Sequence, residues 1–106
     1  MATELNKVEL ETAIASNGNQ LVLFYSNRCR SCKPQVNLLD TIFIGDRTVS
    51  IIKYDIEKDD DVLTKYNFTA VPTFLYFKDM VETGRLEQNT NRRALEMFVI
   101  ENYDKE

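Results

Sequence analysis

The sequence predicts an α/β domain, in which helices flank a mixed β-sheet. The first observation is a near-continuous apolar run over residues 20–26, which is typical of a central strand covered on both faces. The second is the order of the patterns along the chain: helix, strand, helix, strand, helix, strand, strand, helix. This order predicts parallel strands joined by crossover helices, followed by an antiparallel hairpin at one edge of the sheet.

Two helices are predicted on either side of the central strand. Asn6 and Glu9 have the spacing of a capping box, and the helical periodicity that follows them ends at residues 17–19. A very short strand is expected ahead of this helix. A second helix is predicted from Ser31 to near Gly45, because glycine often ends a helix. Its apolar positions are Val36, Leu38, Leu39, Ile42 and Phe43.

The second half of the chain contains the remaining strands and helices. Aspartates favour a helix start, so residues 59–61 are interpreted as the beginning of a short helix that ends near residue 67. The same acidic run lacks the further oxygen ligands and the turn glycine of a calcium loop. The other predicted elements are strands at 48–56, 71–77 and 80–86, and a closing helix at 91–103.

Size and composition limit the classes of function. A length of 106 residues predicts a single domain spanning 1–106. The formal net charge is −4, and the lysines and arginines are scattered along the sequence, so no nucleic-acid partner is expected. No apolar run reaches the length of a membrane span, and residues 1–6 lack a signal-peptide pattern. These observations favour a cytoplasmic protein with no membrane partner.

The most informative motif is Cys29-Arg30-Ser31-Cys32, which holds both cysteines of the chain. A disulfide across two intervening residues restricts the unfolded chain little, so a purely structural role is poorly motivated. The spacing suits thiol–disulfide exchange, because a second thiol lies within reach to resolve a mixed disulfide. A zinc site usually needs four ligands, and the chain has no histidine and no third cysteine, so no metal is expected. A pair of inert cysteines is the remaining alternative.

The chain resembles the thioredoxin family over nearly its whole length. The resemblance is carried by the element order, by the CxxC motif followed by Lys33, and by the segment 70–73 (Ala-Val-Pro-Thr) ahead of an aromatic strand. It implies a thioredoxin fold, with a central mixed sheet of four to five strands flanked by about four helices. It also implies that Cys29 is the nucleophile and Cys32 the resolving thiol of a thiol–disulfide oxidoreductase.

The resemblance and the charges near Cys29 give expectations for several other residues. Pro72 is expected to be cis and, with Val71, to bind an extended substrate segment. Arg28 and Arg30 flank the nucleophile, so we expect them to lower its pKa and make the disulfide more oxidising. Lys53 aligns with a family lysine near the active site, and a plain surface charge is the alternative.

Two departures from the family pattern keep other functions open. The chain contains no tryptophan, and the position of the family's buried aspartate falls on Leu23, so proton transfer at Cys32 needs water or a substrate group. A thioredoxin-fold binding module with weak or no catalysis is therefore one alternative. A glutathione-dependent, glutaredoxin-like reductase is another, although residues 78–80 (Lys-Asp-Met) replace its glycine-rich loop.

The resemblance also implies the partners of the reaction. Protein disulfides are the expected substrates, and a thioredoxin reductase or an equivalent enzyme is the expected electron donor. No bound cofactor is expected, and the protein is expected to be a monomer.

Overall fold

Five strands form one mixed sheet in the order β1-β3-β2-β4-β5 in the computed structural model, which describes residues 2–106. β1, β3 and β2 run parallel, β4 is antiparallel to β2, and β5 is antiparallel to β4. The strands are β1 Thr3–Glu4, β2 Asn19–Tyr25, β3 Ser50–Asp55, β4 Thr73–Lys78 and β5 Val81–Leu86. The predicted topology, including the very short first strand, is confirmed.

In residues 2–106, three α-helices and one 3₁₀ turn connect the strands, and a fourth helix follows the last strand. The capping box predicted at α1 is confirmed, because the Asn6 side chain accepts from the Glu9 backbone N–H and the Glu9 carboxylate accepts from the Asn6 N–H. The helices are α1 Lys7–Ile14, α2 Cys32–Leu39, α3 Asp61–Lys65 and α4 Arg92–Tyr103, and the 3₁₀ turn is Ile56–Lys58.

The two faces of β2 are covered by different pairs of helices, because successive side chains of a strand point to opposite faces. One face packs with α1 and α3, and the other packs with α2 and α4. Every residue of β2 after Asn19 is buried, which matches its apolar run. Val22 and Phe24 belong to the first core, and Leu21, Leu23 and Tyr25 to the second.

The prediction that α2 extends to Gly45 is wrong, because the helix ends at Leu39. The apolar residues beyond that point alternate in burial instead of following a helical repeat. Ile42 and Ile44 pack partly against the core under α2, whereas Phe43 between them is 78% exposed. Tertiary packing of an irregular segment therefore produces a spacing that resembles helical periodicity in the sequence.

One polar pair and one close steric fit secure the margins of the second core. The buried Gln35 of α2 donates through Nε2 to the carbonyl of Thr90 at 3.1 Å and accepts from the Thr90 N–H through Oε1 at 3.0 Å. This pair ties the loop before α4 to the helix that carries Cys32. On β5, Gly84 makes room for the buried Asn102, since a Cβ at Gly84 would lie 2.5 Å from Asn102 Oδ1.

Candidate functional site

The loop that follows β2 presents the two cysteines at the start of α2. The N–H of Cys29 donates to the carbonyl of Ser26 at 3.1 Å, and the N–H of Cys32 donates to the carbonyl of Cys29 at 3.2 Å. Cys32 is the first residue of α2, so the helix begins slightly later than predicted. The CxxC segment is thus a tight turn between a buried strand and a helix.

Side chains from the end of β3 hold this loop in place. The Ser26 hydroxyl donates to the Glu57 carboxylate at 2.7 Å and accepts from the Arg28 N–H at 3.1 Å. The Asn27 amide donates to the Asp55 carboxylate at 2.6 Å. Sequence reasoning missed this network, although β2 and β3 are neighbouring parallel strands and their carboxyl ends meet at one edge.

The two thiols differ in accessibility. Both cysteines are free, Cys29 is half-buried, and Cys32 is 1% exposed. Both cysteines line a pocket of about 340 Å³, but Cys32 is packed into the core formed with α2 and α4. Only Cys29 is therefore open to a molecule arriving from solvent.

The local hydrogen bonds favour the thiolate of Cys29. Burial raises the pKa of this thiol, but hydrogen bonds from Cys32 and from Ser31 outweigh the burial, so the pKa lies below its ordinary value. The Ser31 hydroxyl lies 3.3 Å from Cys29 Sγ. The sequence analysis did not identify Ser31 as a site residue. The sequence signal that could have identified it is a hydroxyl side chain between the two cysteines.

Cys32 has the opposite electrostatic environment. Burial and the interaction with Cys29 raise the pKa of Cys32 to about 12, although a hydrogen bond from the Ser26 backbone partly opposes the increase. Leu23 is fully buried in the same core and offers no carboxylate to accept its proton. Cys32 is therefore protonated at neutral pH in the reduced protein.

The segment before β4 lies against the cysteines. The Val71–Pro72 peptide bond is cis, as the resemblance implied. The carbonyl of Val71 lies 3.9 Å from Cys29 Sγ, and Pro72 is buried. The Thr73 hydroxyl donates to the Ala70 carbonyl at 2.7 Å and braces this turn.

The structure brings the predicted cationic residues to the same pocket. Arg28, Arg30 and Lys53 line it together with Lys33, so the interpretation of the cations as scattered is wrong at this site. Arg28 and Arg30 are exposed, and Arg28 pairs with Glu57 at 3.6 Å. The leading contributions to the pKa of Cys29 come from burial, Cys32 and Ser31, so tuning by the arginines stays a prediction.

In the part of the chain that the structure describes, neither cysteine belongs to a group of potential metal ligands. Among residues 2–106, one group of acidic side chains has carboxylate oxygens within 4.8 Å of one another, namely Asp59, Asp60 and Asp61. Asp59 is paired with Lys7 at 3.3 Å. In the same part of the chain, no helix is long and apolar enough to cross a membrane.

The fold and its pair of free thiols, of which Cys29 is accessible, define a thiol–disulfide oxidoreductase. The thioredoxin family model matches residues 1–101. The chain therefore belongs to the thioredoxin family.

Individual relatives agree with this assignment. The chain is 32% identical over 77 residues to a thioredoxin of Echinococcus granulosus, with 73% of this chain and 72% of the relative covered. It is 26% identical over 74 residues to a thioredoxin of Mycoplasmoides gallisepticum, with 70% of this chain and 74% of the relative covered.

Solved structures give the same result for the fold. Oxidised mitochondrial thioredoxin 3 of Saccharomyces cerevisiae superimposes with a TM-score of 0.79 at 28% identity, covering 94% of each chain. A thioredoxin of Halobacterium salinarum has a TM-score of 0.83 at 19% identity, covering 98% of this chain and 92% of the other.

Proposed function

We propose that residues 1–106 act as a single thioredoxin-like domain that reduces protein disulfides, with Cys29 as the nucleophile and Cys32 as the resolving thiol. The observation that carries this proposal is the contrast between the two thiols. Cys29 is accessible and its pKa is lowered, whereas Cys32 is buried and its pKa is raised to about 12. Since the thiolate is the attacking species, this contrast supports Cys29 as the first nucleophile and Cys32 as the second.

In the first step the Cys29 thiolate attacks one sulfur of the substrate disulfide. The substrate S–S bond breaks, a mixed disulfide forms with Cys29, and the departing substrate thiolate takes a proton from water. The Ser31 hydroxyl, 3.3 Å from Cys29 Sγ, stabilises the thiolate before attack.

In the second step Cys32 loses its proton and attacks Cys29 Sγ. The Cys29–Cys32 disulfide forms, the second substrate sulfur leaves as a thiol, and two electrons have passed to the substrate. The charge and the hydrogen bond of Cys29 both raise the pKa of Cys32, and the mixed disulfide removes the negative charge. Formation of the mixed disulfide therefore lowers the cost of ionising Cys32, while its burial persists. With Leu23 in place of a carboxylate, water or the departing substrate thiolate takes the proton.

Val71 and Pro72 are proposed to position the substrate. The Val71 carbonyl lies 3.9 Å from Cys29 Sγ, and it belongs to a segment that precedes a strand. An extended substrate segment that pairs with this backbone would bring its cysteine to the nucleophile.

The remaining assignments are part of the same proposal. Arg28, Arg30 and Lys53 line the pocket beside Cys29, where positive charge favours the thiolate. A thioredoxin reductase or an equivalent dithiol donor would reduce the Cys29–Cys32 disulfide. We further propose a cytoplasmic monomer that serves electron transport and cell redox homeostasis without a bound cofactor.

Insulin reduction tests the proposal directly. The wild-type protein is assayed with a dithiol and, separately, with glutathione as the reductant. Activity with the dithiol alone is the expected result, whereas activity that needs glutathione would favour a glutaredoxin-like reductase. No activity with either reductant would favour a binding module.

Two cysteine variants test the assigned roles. Cys32→Ser should accumulate a mixed disulfide with substrate, because the nucleophile remains and the resolving thiol is gone. Cys29→Ser should form no mixed disulfide, because Cys32 is buried and protonated. Mass spectrometry of the trapped species distinguishes the two, and trapping through Cys32 would overturn the assignment.

A further inference from the structure

The pocket beside Cys29 has an unusual balance of charge. Four of the 13 cationic side chains of the protein line it, and no acidic side chain does. The whole chain has a formal net charge of −4, so the lining of this pocket is positively charged although the molecule as a whole is negatively charged. The four residues are Arg28, Arg30, Lys33 and Lys53.

Most of this charge is free to act on a ligand. Arg28 pairs with Glu57 at 3.6 Å, which partly offsets its charge. Arg30, Lys33 and Lys53 have no acidic group within 4.0 Å among residues 2–106. The Asp55 carboxylate at the base of the loop is occupied by Asn27 and by the backbone of the 3₁₀ turn.

The cations that line the pocket come from different parts of the fold. Arg30 lies inside the CxxC turn and Lys33 follows it, and both are exposed. Lys53 comes from β3 and is half-buried. A pocket of about 340 Å³ is at the lower end of the range of roughly 300–1,000 Å³ typical of ligand sites, so it suits one or two side chains of a substrate.

We propose that the preferred substrate is a peptide disulfide flanked by acidic residues, whose carboxylates enter this pocket as Cys29 attacks. The inference rests on the proposed function, since it names the substrate class of the same site. Carboxylates match arginine especially well, because the planar guanidinium can donate two parallel hydrogen bonds to one carboxylate. A peptide is proposed rather than a small anion because the Val71 backbone near Cys29 offers strand-like pairing to an extended segment.

The reaction itself is unchanged by this preference. Cys29 breaks the peptide disulfide and forms a mixed disulfide, Cys32 then closes the Cys29–Cys32 disulfide, and both peptide sulfurs leave as thiols. The cations act by raising the local concentration of the acidic peptide and by orienting it. Charge steering of this kind raises association rates by about 10-fold or more at low ionic strength.

The test uses pre-reduced full-length protein in single turnover, so that no other reductant is present. Three disulfide-linked peptides of one design carry glutamate, glutamine or lysine on both sides of the cystine. Each rate is divided by the rate of the same peptide with mercaptoethanol, because flanking charges also change the intrinsic reactivity of a disulfide. The glutamate peptide should react about 10-fold faster than the glutamine peptide, and the lysine peptide should react more slowly than either.

Salt and charge reversal identify the cause of the preference. Raising the ionic strength from about 0.01 M to about 1 M shortens the Debye length from about 30 Å to about 3 Å, so the preference should largely disappear. Arg30→Glu and Lys33→Glu should each reduce the glutamate-to-glutamine ratio. Both rates in this ratio are measured with the same variant, so a change in the reactivity of Cys29 affects both rates equally and does not alter the ratio. Arg93→Glu, the same charge change at an exposed residue of α4 outside the pocket, should leave it unchanged.

The outcomes separate this inference from the proposed function. If the glutamine peptide reacts and the normalised rate of the glutamate peptide is less than about twofold higher, the inference is wrong and the oxidoreductase mechanism stands. Failure of all three peptides would overturn both. Oxidised glutathione, a small disulfide that also carries carboxylates, is the fourth substrate. If it reacts as fast as the glutamate peptide, the preference is for small anionic disulfides and the peptide proposal is wrong.

Discussion

Replacing Ser31 with alanine tests the hydrogen bond that favours the Cys29 thiolate. The Ser31 hydroxyl lies 3.3 Å from Cys29 Sγ. A hydrogen bond donated by this hydroxyl stabilises the thiolate much more than the neutral thiol. A hydrogen bond to a charged group contributes about 1.5–3 kcal/mol. Because Cys29 is only half-buried, the lower end of this range applies. The S31A substitution should therefore reduce the acid dissociation constant of Cys29 about 10-fold.

The assay is the rate of alkylation by iodoacetamide as a function of pH. In the wild-type protein the lowered pKa of Cys29 makes the rate rise and reach its plateau at a lower pH than for a free cysteine. In S31A the same curve should move to higher pH, with a similar plateau once the thiol is fully ionised. Ser31 is exposed, so the substitution should change the free energy of unfolding by less than about 0.5 kcal/mol.

Two further variants make the result specific. Ser31→Thr keeps the hydroxyl and should titrate close to the wild-type protein. Arg30→Gln removes a flanking positive charge and keeps the hydroxyl, so it measures the contribution of the arginine separately. An S31A curve that coincides with the wild-type curve would refute the role of the hydroxyl, and an R30Q curve that shifts more than S31A would assign the effect to the arginine.

Three other substitutions have expected outcomes. Gln35→Leu removes two hydrogen bonds to the loop before α4 and should lower the free energy of unfolding in urea by about 2 kcal/mol. Gly84→Ala places a Cβ 2.5 Å from Asn102 Oδ1 and should lower the free energy of unfolding by about 1–3 kcal/mol in the same measurement. A variant as stable as the wild-type protein would contradict the close packing at this position. In Cys29→Ser, burial should keep Cys32 unreactive to iodoacetamide at neutral pH, and alkylation should need denaturant or strongly alkaline solution.

The sequence predicted the parts of the fold that depend on short-range chemistry. The buried run of β2, the capping box of α1 and the order of the elements are set by residues close in sequence, so a local pattern is sufficient to find them. The end of α2 was missed because Ile42 and Ile44 pack against a core formed by distant elements. Their spacing alone does not distinguish this irregular segment from a helix.

The candidate site also contains residues that local motifs identify and residues that only the folded structure brings together. The cysteine pair and the cis proline form recognisable motifs, so their positions followed from the sequence. The roles of Ser31 and of the cationic pocket depend on distances after folding. Lys53 in particular reaches the pocket from β3, which is separated from the CxxC turn by the whole of α2. The loop contacts of Asp55 depend equally on the pairing of two strands.

The two edges of the sheet have a consequence for association between chains. β1 is only two residues long, and the pairing of β5 with β4 is interrupted by an irregularity near Tyr76 and Phe77. β5 also carries the Glu82–Arg85 ion pair. Short, bulged and charged edges are poor templates for the strand of another molecule, and they protect sheets from aggregation. The two long apolar strands β2 and β4 are both internal to the sheet, so neither offers a free edge to another chain while the sheet is intact.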